Sequence, residues 1–242
     1  MTHNPQIEQT RKTLQEYIKS QGISFSNVEL CLDAVNLLIN WRVPPSVFED
    51  LQRGQAYVAY SFGIGKRKDR KKEIKDPREI LYSPAVYYPG LSNEDFAKII
   101  ADLYQQGLEK PIFTQWEIAI ALERNHGIRV PEIQIAKPKE SYLSIQGSVR
   151  QFLEAGLQKY NKILFLNHPI SLARAKAITC SEINSQRGKP LEEILVVDTS
   201  KVRYDPESVQ PWTRDERSIL ENEFASRFHH VFHLKSINAD SF

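Results

Sequence analysis

Four polar residues that could take part in chemistry follow a short apolar run, residues 163–166. They are Asn167, His168, Ser171 and Arg174. A histidine titrates near neutral pH, so His168 suits a general acid or base; the alternative is a histidine held by a hydrogen bond in a tight turn. The fork of Arg174 suits an anionic group, while Asn167 and Ser171 offer hydrogen bonds or cap a helix. This segment therefore predicts a ligand site around one titratable group.

Two acidic residues also follow predicted strands. Glu117 comes directly after the strand PIFTQ, on the first turn of a helix. There a carboxylate either acts on a ligand or stabilises the positive end of the helix dipole. Asp198 lies near the end of EILVVDT, where an acid can bind a ribose hydroxyl. We predict Glu117 and His168 as catalytic residues, and Asp198 as a ligand-binding one.

A glycine turn follows the first predicted strand, AYVAYSF. Gly63 and Gly65 form this turn, and six positive charges stand in the seven positions 66–72. Such a turn can bind a phosphate or carboxylate, although GIG lacks the third glycine of a dinucleotide fingerprint and the Lys-Ser/Thr pair of a P-loop. The alternative is a solvated loop, because like charges repel each other. Residues 65–78 are predicted to be mobile without a ligand.

The elements that must position these residues alternate between strand and helix. The predicted strands are residues 56–62, 111–115, 132–136, 163–166 and 193–199. Helical periodicity lies between them, and this alternation is typical of a parallel sheet with right-handed crossovers. We predict an α/β fold with a mainly parallel sheet of about five strands and helices on both faces. Residues 1–54 are predicted to be an N-terminal helical cover, and residues 55–242 the α/β domain.

Carboxyl ends of neighbouring parallel strands meet at one edge of a sheet, where open α/β folds bind ligands. Each of four predicted site residues lies near the end of a strand or the start of the next helix. We therefore expect one pocket that contains Glu117, Ser144, His168 and Arg174.

Composition excludes several classes of protein. The chain has 242 residues, 41% of them hydrophobic, and a formal net charge of +2, which is typical of a globular protein and too small to indicate nucleic-acid binding. The polar start, MTHNPQIEQTRK, predicts neither a signal peptide nor a membrane anchor, so we expect a cytoplasmic location. The two cysteines, Cys31 and Cys180, lie in apolar helical patterns and are predicted to be buried thiols.

Two further basic or metal-like patterns carry little weight. Nucleic-acid binding through residues 66–72 is disfavoured, because that run has no aromatic residue on which bases could stack. The group of His229, His230 and His233 lacks the helix and glutamate of a zinc site, so it is interpreted as surface.

Five motifs occur in order along the chain: AYVAYSFGIG, ADLYQQG, PIFTQWEIAIALERNHGIRVPEIQIA, ESYLSIQGSVRQFL and NHPISLARA. Together they resemble the YdcF/SanA/ElyC-like family, a bacterial domain whose chemistry is mostly unassigned. The resemblance covers roughly residues 55–227. It implies a Rossmann-like three-layer fold.

The resemblance also implies site residues. It carries the family's glutamate onto Glu117, its polar loop onto Ser141 and Ser144, and its arginine onto Arg174. The family's strand-end histidine falls on Ser171, so this chain departs from the pattern there. Such a departure implies a different reaction, or none.

At the two ends of the matched region, the chain follows the family's pattern only in part. The family's double glycine is reduced to Gly63 and Gly65, and its C-terminal Arg-Glu segment corresponds loosely to the stretch around Arg214, which is predicted to close over the same pocket. We predict a YdcF-like protein that binds a small anionic or nucleotide-like ligand at the carboxyl edge of the sheet, with S-adenosylmethionine as one candidate. The alternative is a catalytically degenerate relative that acts as a binding or regulatory module.

Overall fold

The structure, a computed structural model, describes residues 43–66, 87–138 and 143–220, with single positions at 12, 16, 222, 223 and 226. Residues 43–221 form one compact unit, and residues 1–42 with 222–242 form the other, most of which lies outside the described residues. The predicted N-terminal helices, the three C-terminal histidines and most of the basic segment 65–78 also lie outside them, so these remain predictions.

The sequence folds into alternating strands and helices. The strands in the described residues are β1 (Ala56–Ala59), β2 (Gly65–Lys66), β3 (Tyr87–Tyr88), β4 (Ile112–Gln115), β5 (Ile135–Ala136), β6 (Lys162–Leu166) and β7 (Glu193–Val196). The helices that flank them are α1 (Phe48–Leu51), α2 (Leu91–Gln105), α3 (Trp116–His126), α4 (Ile145–Glu154) and α5 (Leu172–Arg187). Short 3-10 turns occur at Glu132–Gln134, Leu157–Lys159 and Pro211–Thr213.

Five of the strands form one sheet, in the order β5-β4-β1-β6-β7, and every pair in it is parallel. The central strand is β1, in which Val58 is level with Phe113 of β4 on one side and Phe165 of β6 on the other. With helices on the sheet, this is a three-layer α/β fold of the Rossmann-like type. The predicted fold class is confirmed.

Alternate residues of β1 enter two different cores. Tyr57 and Ala59 lie in the core formed with α2 and α3, whereas Ala56 and Val58 lie in the core formed with α4 and α5. All four are fully buried. The central strand is therefore covered on both faces, as its apolar composition predicts.

The central strand ends at Ala59 rather than at the predicted residue 62. The Tyr60 amide still binds the Leu166 carbonyl, but from Ser61 onward side chains from other elements bind the backbone amides. A small antiparallel pair, β2 with β3, follows and was not predicted. It joins Gly65 to Tyr88 across residues that the structure does not describe.

Candidate functional site

The sheet has a topological switch point between β1 and β6. After β1 the chain continues to α2, whose Phe96 and Ile100 lie in one core; after β6 it continues to α5, whose Leu172 and Ala175 lie in the other. Where neighbouring strands send their connections to opposite faces, a crevice opens outside their carboxyl ends. The residues that follow β1, β4 and β6 lie at this edge of the sheet.

The loop after β1, residues 61–64, is here called the β1 loop. Its first two amides bind side chains from other elements. Gln115, the last residue of β4, accepts hydrogen bonds from the Ser61 amide and hydroxyl, both at 2.7 Å. The buried Asn93 of α2 accepts from the Phe62 amide at 2.9 Å. Side chains that bind backbone amides fix a loop's conformation, so the β1 loop is held firmly at the centre of the edge.

His168 lies against the β1 loop. Its ring stacks on Phe62, with centroids 3.9 Å apart and an interplanar angle of 13°, and Tyr204 contacts it at 4.8 Å. The residue is only 2% exposed, and neither imidazole nitrogen has a hydrogen-bond partner in the described residues. Burial lowers the pKa of His168 to about 4. The imidazole is therefore neutral at physiological pH.

Glu117 also adjoins the β1 loop, through a hydrogen bond with Ser61. It is 4% exposed, and its Oε2 has no hydrogen-bond partner in the described part of the chain. Burial raises the pKa of Glu117 to about 8, although hydrogen bonds with its own amide and with Ser61 lower it in part. The side chain is therefore mainly protonated at neutral pH. Burial dominates because a lone carboxylate loses its hydration there.

The two environments shift the pKa values of Glu117 and His168 in opposite directions. Glu117 keeps its proton at neutral pH, whereas His168 offers an unprotonated nitrogen. Pairs of titratable groups whose surroundings shift their pKa values apart are a common arrangement for proton transfer. Buried, unpaired polar atoms are also rare, and each of them calls for a structural or functional reason.

Asn167 and Ser171 serve the turn between β6 and α5. The Asn167 side-chain oxygen accepts from the His168 amide at 2.6 Å and from the Ser171 hydroxyl at 3.0 Å. The Asn167 carbonyl accepts from Thr199 at 2.8 Å. Ser171 precedes the first residue of α5, but its hydroxyl does not bind a helix amide. These contacts give both predicted ligand-binding residues a role in shaping the turn that carries His168.

The glycine turn after β1 is filled by the chain itself. Gly63 has a positive φ of 77°, and a Cβ there would lie 2.8 Å from the Thr213 hydroxyl and 3.0 Å from that of Ser208. At Gly65 a Cβ would lie 2.2 Å from the Tyr88 ring. A side chain at either position would clash with its neighbours. Internal packing thus explains both glycines without a bound phosphate.

Ser144 and Asp198 lie at the surface. The Ser144 hydroxyl accepts from the Gly147 amide at 3.0 Å and caps α4. Asp198 accepts from the Ser200 amide at 2.9 Å, and this hydrogen bond holds the pKa of Asp198 below its usual value. Both residues are exposed, whereas Glu117 and His168 are buried.

The two arginines of the predicted site follow β6 and β7. Arg174 is half-buried in the first turn of α5. Arg214 donates to the Ser208 carbonyl at 2.6 Å, which ties it to the segment after β7. Ser141 lies outside the described residues. Of the predicted residues, the structure brings Glu117 and His168 to adjacent positions of one loop.

Four residues of the site were not singled out from the sequence: Ser61, Phe62, Gln115 and Tyr204. The first three lie at or just after the ends of strands. Position after a strand, the signal by which His168 was predicted, could therefore have identified them too. Tyr204 has no such signal, because it lies in an irregular segment after β7.

No family model, curated protein or solved structure matches the chain. In the residues that the structure describes, no group of three or more His, Cys, Asp or Glu side chains could hold a metal ion. No helix within those residues has both the length and the apolarity needed to cross a membrane. Cys180 is a half-buried free thiol whose pKa is raised by burial.

Proposed function

We propose that the chain binds a small ligand at the carboxyl edge of its sheet, beside the β1 loop, and that Glu117 and His168 act on that ligand as acid and base. The observation that carries the proposal is a pair of buried titratable side chains whose polar atoms lack partners among the described residues. One contacts Ser61 and the other stacks on Phe62, so both adjoin the same loop.

The energetic reason is that unpaired buried polar groups destabilise a fold. Each such group costs about 1–3 kcal/mol relative to a satisfied one. A chain can avoid this cost by an apolar substitution, so retained groups of this kind favour a role in binding or catalysis. A ligand that bonds to the Glu117 Oε2 and to a His168 nitrogen removes the penalty and gains affinity.

The ligand class follows from the sequence and the site together. The resemblance to the YdcF/SanA/ElyC-like family favours a small anionic or nucleotide-like molecule, with S-adenosylmethionine as one candidate. Protonated Glu117 does not repel an anion and can donate a hydrogen bond to it. Arg174, on the first turn of α5, supplies a positive charge near the same edge.

A binding module without catalysis is the second candidate. The packing of Ser208 and Thr213 into the glycine turn favours it, because that turn is then closed to a phosphate. The two functions differ in one respect: an enzyme converts a bound ligand and loses turnover in Glu117→Gln, whereas a module only binds it.

A thermal-shift screen tests the proposal with nucleotides, S-adenosylmethionine, inorganic phosphate and dicarboxylates as probes. Any probe that stabilises the wild type should lose its shift in Glu117→Gln and in His168→Asn. The matched control is Glu182→Gln, a buried glutamate on α5 that should keep the shift. A shift unchanged in both site variants contradicts the proposal.

The charge of the ligand is tested at Arg174. If the ligand is anionic, Arg174→Ala should weaken binding by about 1.5–3 kcal/mol, the size of a hydrogen bond to a charged group. Arg174→Lys should restore only part of this, since lysine lacks the fork. Unchanged affinity in Arg174→Ala would restrict the proposal to uncharged ligands.

A further inference from the structure

The segment after β7, residues 199–214, crosses the carboxyl edge of the sheet, and we call it the cover segment. It contains no α-helix and no strand that joins the main sheet. Side chains fix it at both ends. Thr199 donates to the Asn167 carbonyl at 2.8 Å, and the Ser208 hydroxyl accepts from the Ile64 amide at 3.2 Å. The cover segment thus spans from the β6 turn to the β1 loop.

Tyr204 is the part of the cover segment that touches His168. The ring centroids are 3.9 Å apart for Phe62 and His168, 4.8 Å for His168 and Tyr204, and 6.2 Å for Phe62 and Tyr204. These distances form a nearly right-angled triangle with His168 at the corner. Because Phe62 covers the face of the imidazole, Tyr204 must lie beside its edge. The two nitrogens of an imidazole form their hydrogen bonds in the plane of the ring, and therefore at its edge.

The residues on both sides of Tyr204 are attached to the start of α2. Arg203 binds Asp95 through its guanidinium at 2.7 Å and through its backbone amide at 2.9 Å. The Arg203 carbonyl accepts from Ser92 at 2.6 Å, and Asp205 accepts from the Leu91 amide at 3.2 Å. Tyr204 is therefore held beside the edge of His168 by contacts of its neighbours with a different element.

These attachments differ in exposure. Asp205 is 2% exposed and Ser208 is fully buried, so their bonds are shielded from water. The side chain of Arg203, by contrast, is 59% exposed, while that of its partner Asp95 is 17% exposed. An exposed ion pair contributes little to stability and is weakened by salt. Of these attachments, the Arg203–Asp95 pair is the one that water reaches, on its Arg203 side, so it is the one most open to local release.

We infer that the cover segment opens at the Arg203–Asp95 ion pair to expose the edge of His168, and that ligands reach the imidazole by this route. The second half of the inference rests on the proposed function; the opening itself does not. Tyr204 closes the site again when the ion pair reforms.

Diethyl pyrocarbonate tests the opening, since it modifies neutral imidazoles that solvent can reach. The full chain is labelled and each histidine is followed by peptide mass spectrometry, with the partly exposed His126 as internal reference. In the wild type, His168 should react far more slowly than His126. In Asp95→Asn the rate at His168 should rise about fivefold, the upper effect of losing an exposed ion pair.

A matched control lies on the same helix. Asp102 forms an exposed ion pair with Lys98 on α2, so Asp102→Asn should leave the His168 rate unchanged. Arg203→Gln removes the other partner of the Arg203–Asp95 ion pair and should act like Asp95→Asn. It also serves as the test variant if Asp95→Asn fails to fold. The rate at His126 should not change in any variant.

Three results would overturn the inference. They are a wild-type His168 that reacts as fast as His126, an unchanged His168 rate in both Asp95→Asn and Arg203→Gln, or an equal rise of the His168 rate in Asp102→Asn. The labelling needs no ligand, so it can fail while the proposed function stands. The proposed function fails separately, if His168→Asn keeps full affinity for the probes that bind the wild type.

Discussion

Glu117 and Glu182 are both buried glutamates, yet their surroundings differ in the number of donors. Glu182, on α5, accepts from Arg150 and Gln146 of α4, each at 2.7 Å, and from Gln186 at 2.6 Å. Burial opposes the ionisation of Glu182, but these hydrogen bonds together hold its pKa below the usual value. Glu117 has one oxygen with no partner in the described part of the chain, and burial raises its pKa to about 8.

The difference separates structure from function. Glu182 joins α4 to α5 on one face of the sheet, and both of its carboxylate oxygens accept hydrogen bonds. Glu117, 4% exposed against 7% for Glu182, lies at the carboxyl edge, but one of its oxygens binds no described group. A buried acid whose two oxygens both have donors cross-links a fold, whereas an oxygen without a donor weakens the fold and is available to a ligand.

The largest expected effect comes from replacing each acid by methionine, which has a similar length and no charge. Glu182→Met should lower the free energy of unfolding by about 1.5–3 kcal/mol, because hydrogen bonds to a charged group are lost. Glu117→Met should raise it by about 1 kcal/mol, because an unsatisfied group is removed. Urea unfolding measures both. If both substitutions changed the free energy of unfolding in the same direction, Glu117 and Glu182 would not differ in their contribution to stability as proposed.

The pH dependence of stability should follow from Glu117 and His168. The folded-state pKa of Glu117, about 8, lies above its ordinary 4.5, so its contribution is present below pH 4.5 and is lost as pH rises to 8. The folded-state pKa of His168, about 4, lies below its ordinary 6.5, so its contribution is present above pH 6.5 and is lost as pH falls to 4.

The two slopes therefore oppose each other between pH 4.5 and 6.5, and only that of Glu117 remains above pH 6.5. Relative to Glu117→Gln, the wild type should lose about 2 kcal/mol of unfolding free energy between pH 6.5 and 8, at about 1.4 kcal/mol per pH unit. Urea unfolding at a series of pH values gives the difference. A difference that does not vary with pH would show that Glu117 ionises normally.

The smallest effect is expected at a single donor to Glu182. Gln146→Ala removes one of its hydrogen bonds and should lower the free energy of unfolding by about 0.5–1.5 kcal/mol. It should also raise the pKa of Glu182, since one bond to the ionised form is lost. Urea unfolding and an NMR titration measure the two changes. An unaltered pKa would mean that Gln146 does not stabilise the carboxylate.

The fold could be predicted because its signals are local. Strands such as β6 are short apolar runs covered on both faces, and the following helices begin within a few residues. The same locality explains why Glu117 and His168 were singled out: each stands directly after a strand. Their convergence on adjacent residues of the β1 loop follows from parallel pairing alone.

The rest of the site depends on contacts between distant parts of the sequence. Gly63 was interpreted as part of a phosphate-binding turn, but Ser208 and Thr213 fill that turn from a segment far along the chain. Tyr204 reaches His168 through the same irregular segment. No periodicity marks such a segment, so the sequence alone could not place either contact.

The most direct test is the protonation state of Glu117. Glutamate labelled with 13C at its carboxyl carbon can be titrated by NMR in the full chain, with Glu117→Gln and Glu182→Gln identifying the two resonances. The expected result is a Glu117 midpoint near pH 8 and a Glu182 midpoint below its ordinary value. A Glu117 midpoint at or below 4.5, its ordinary value, would contradict a buried, unpaired acid at the carboxyl edge.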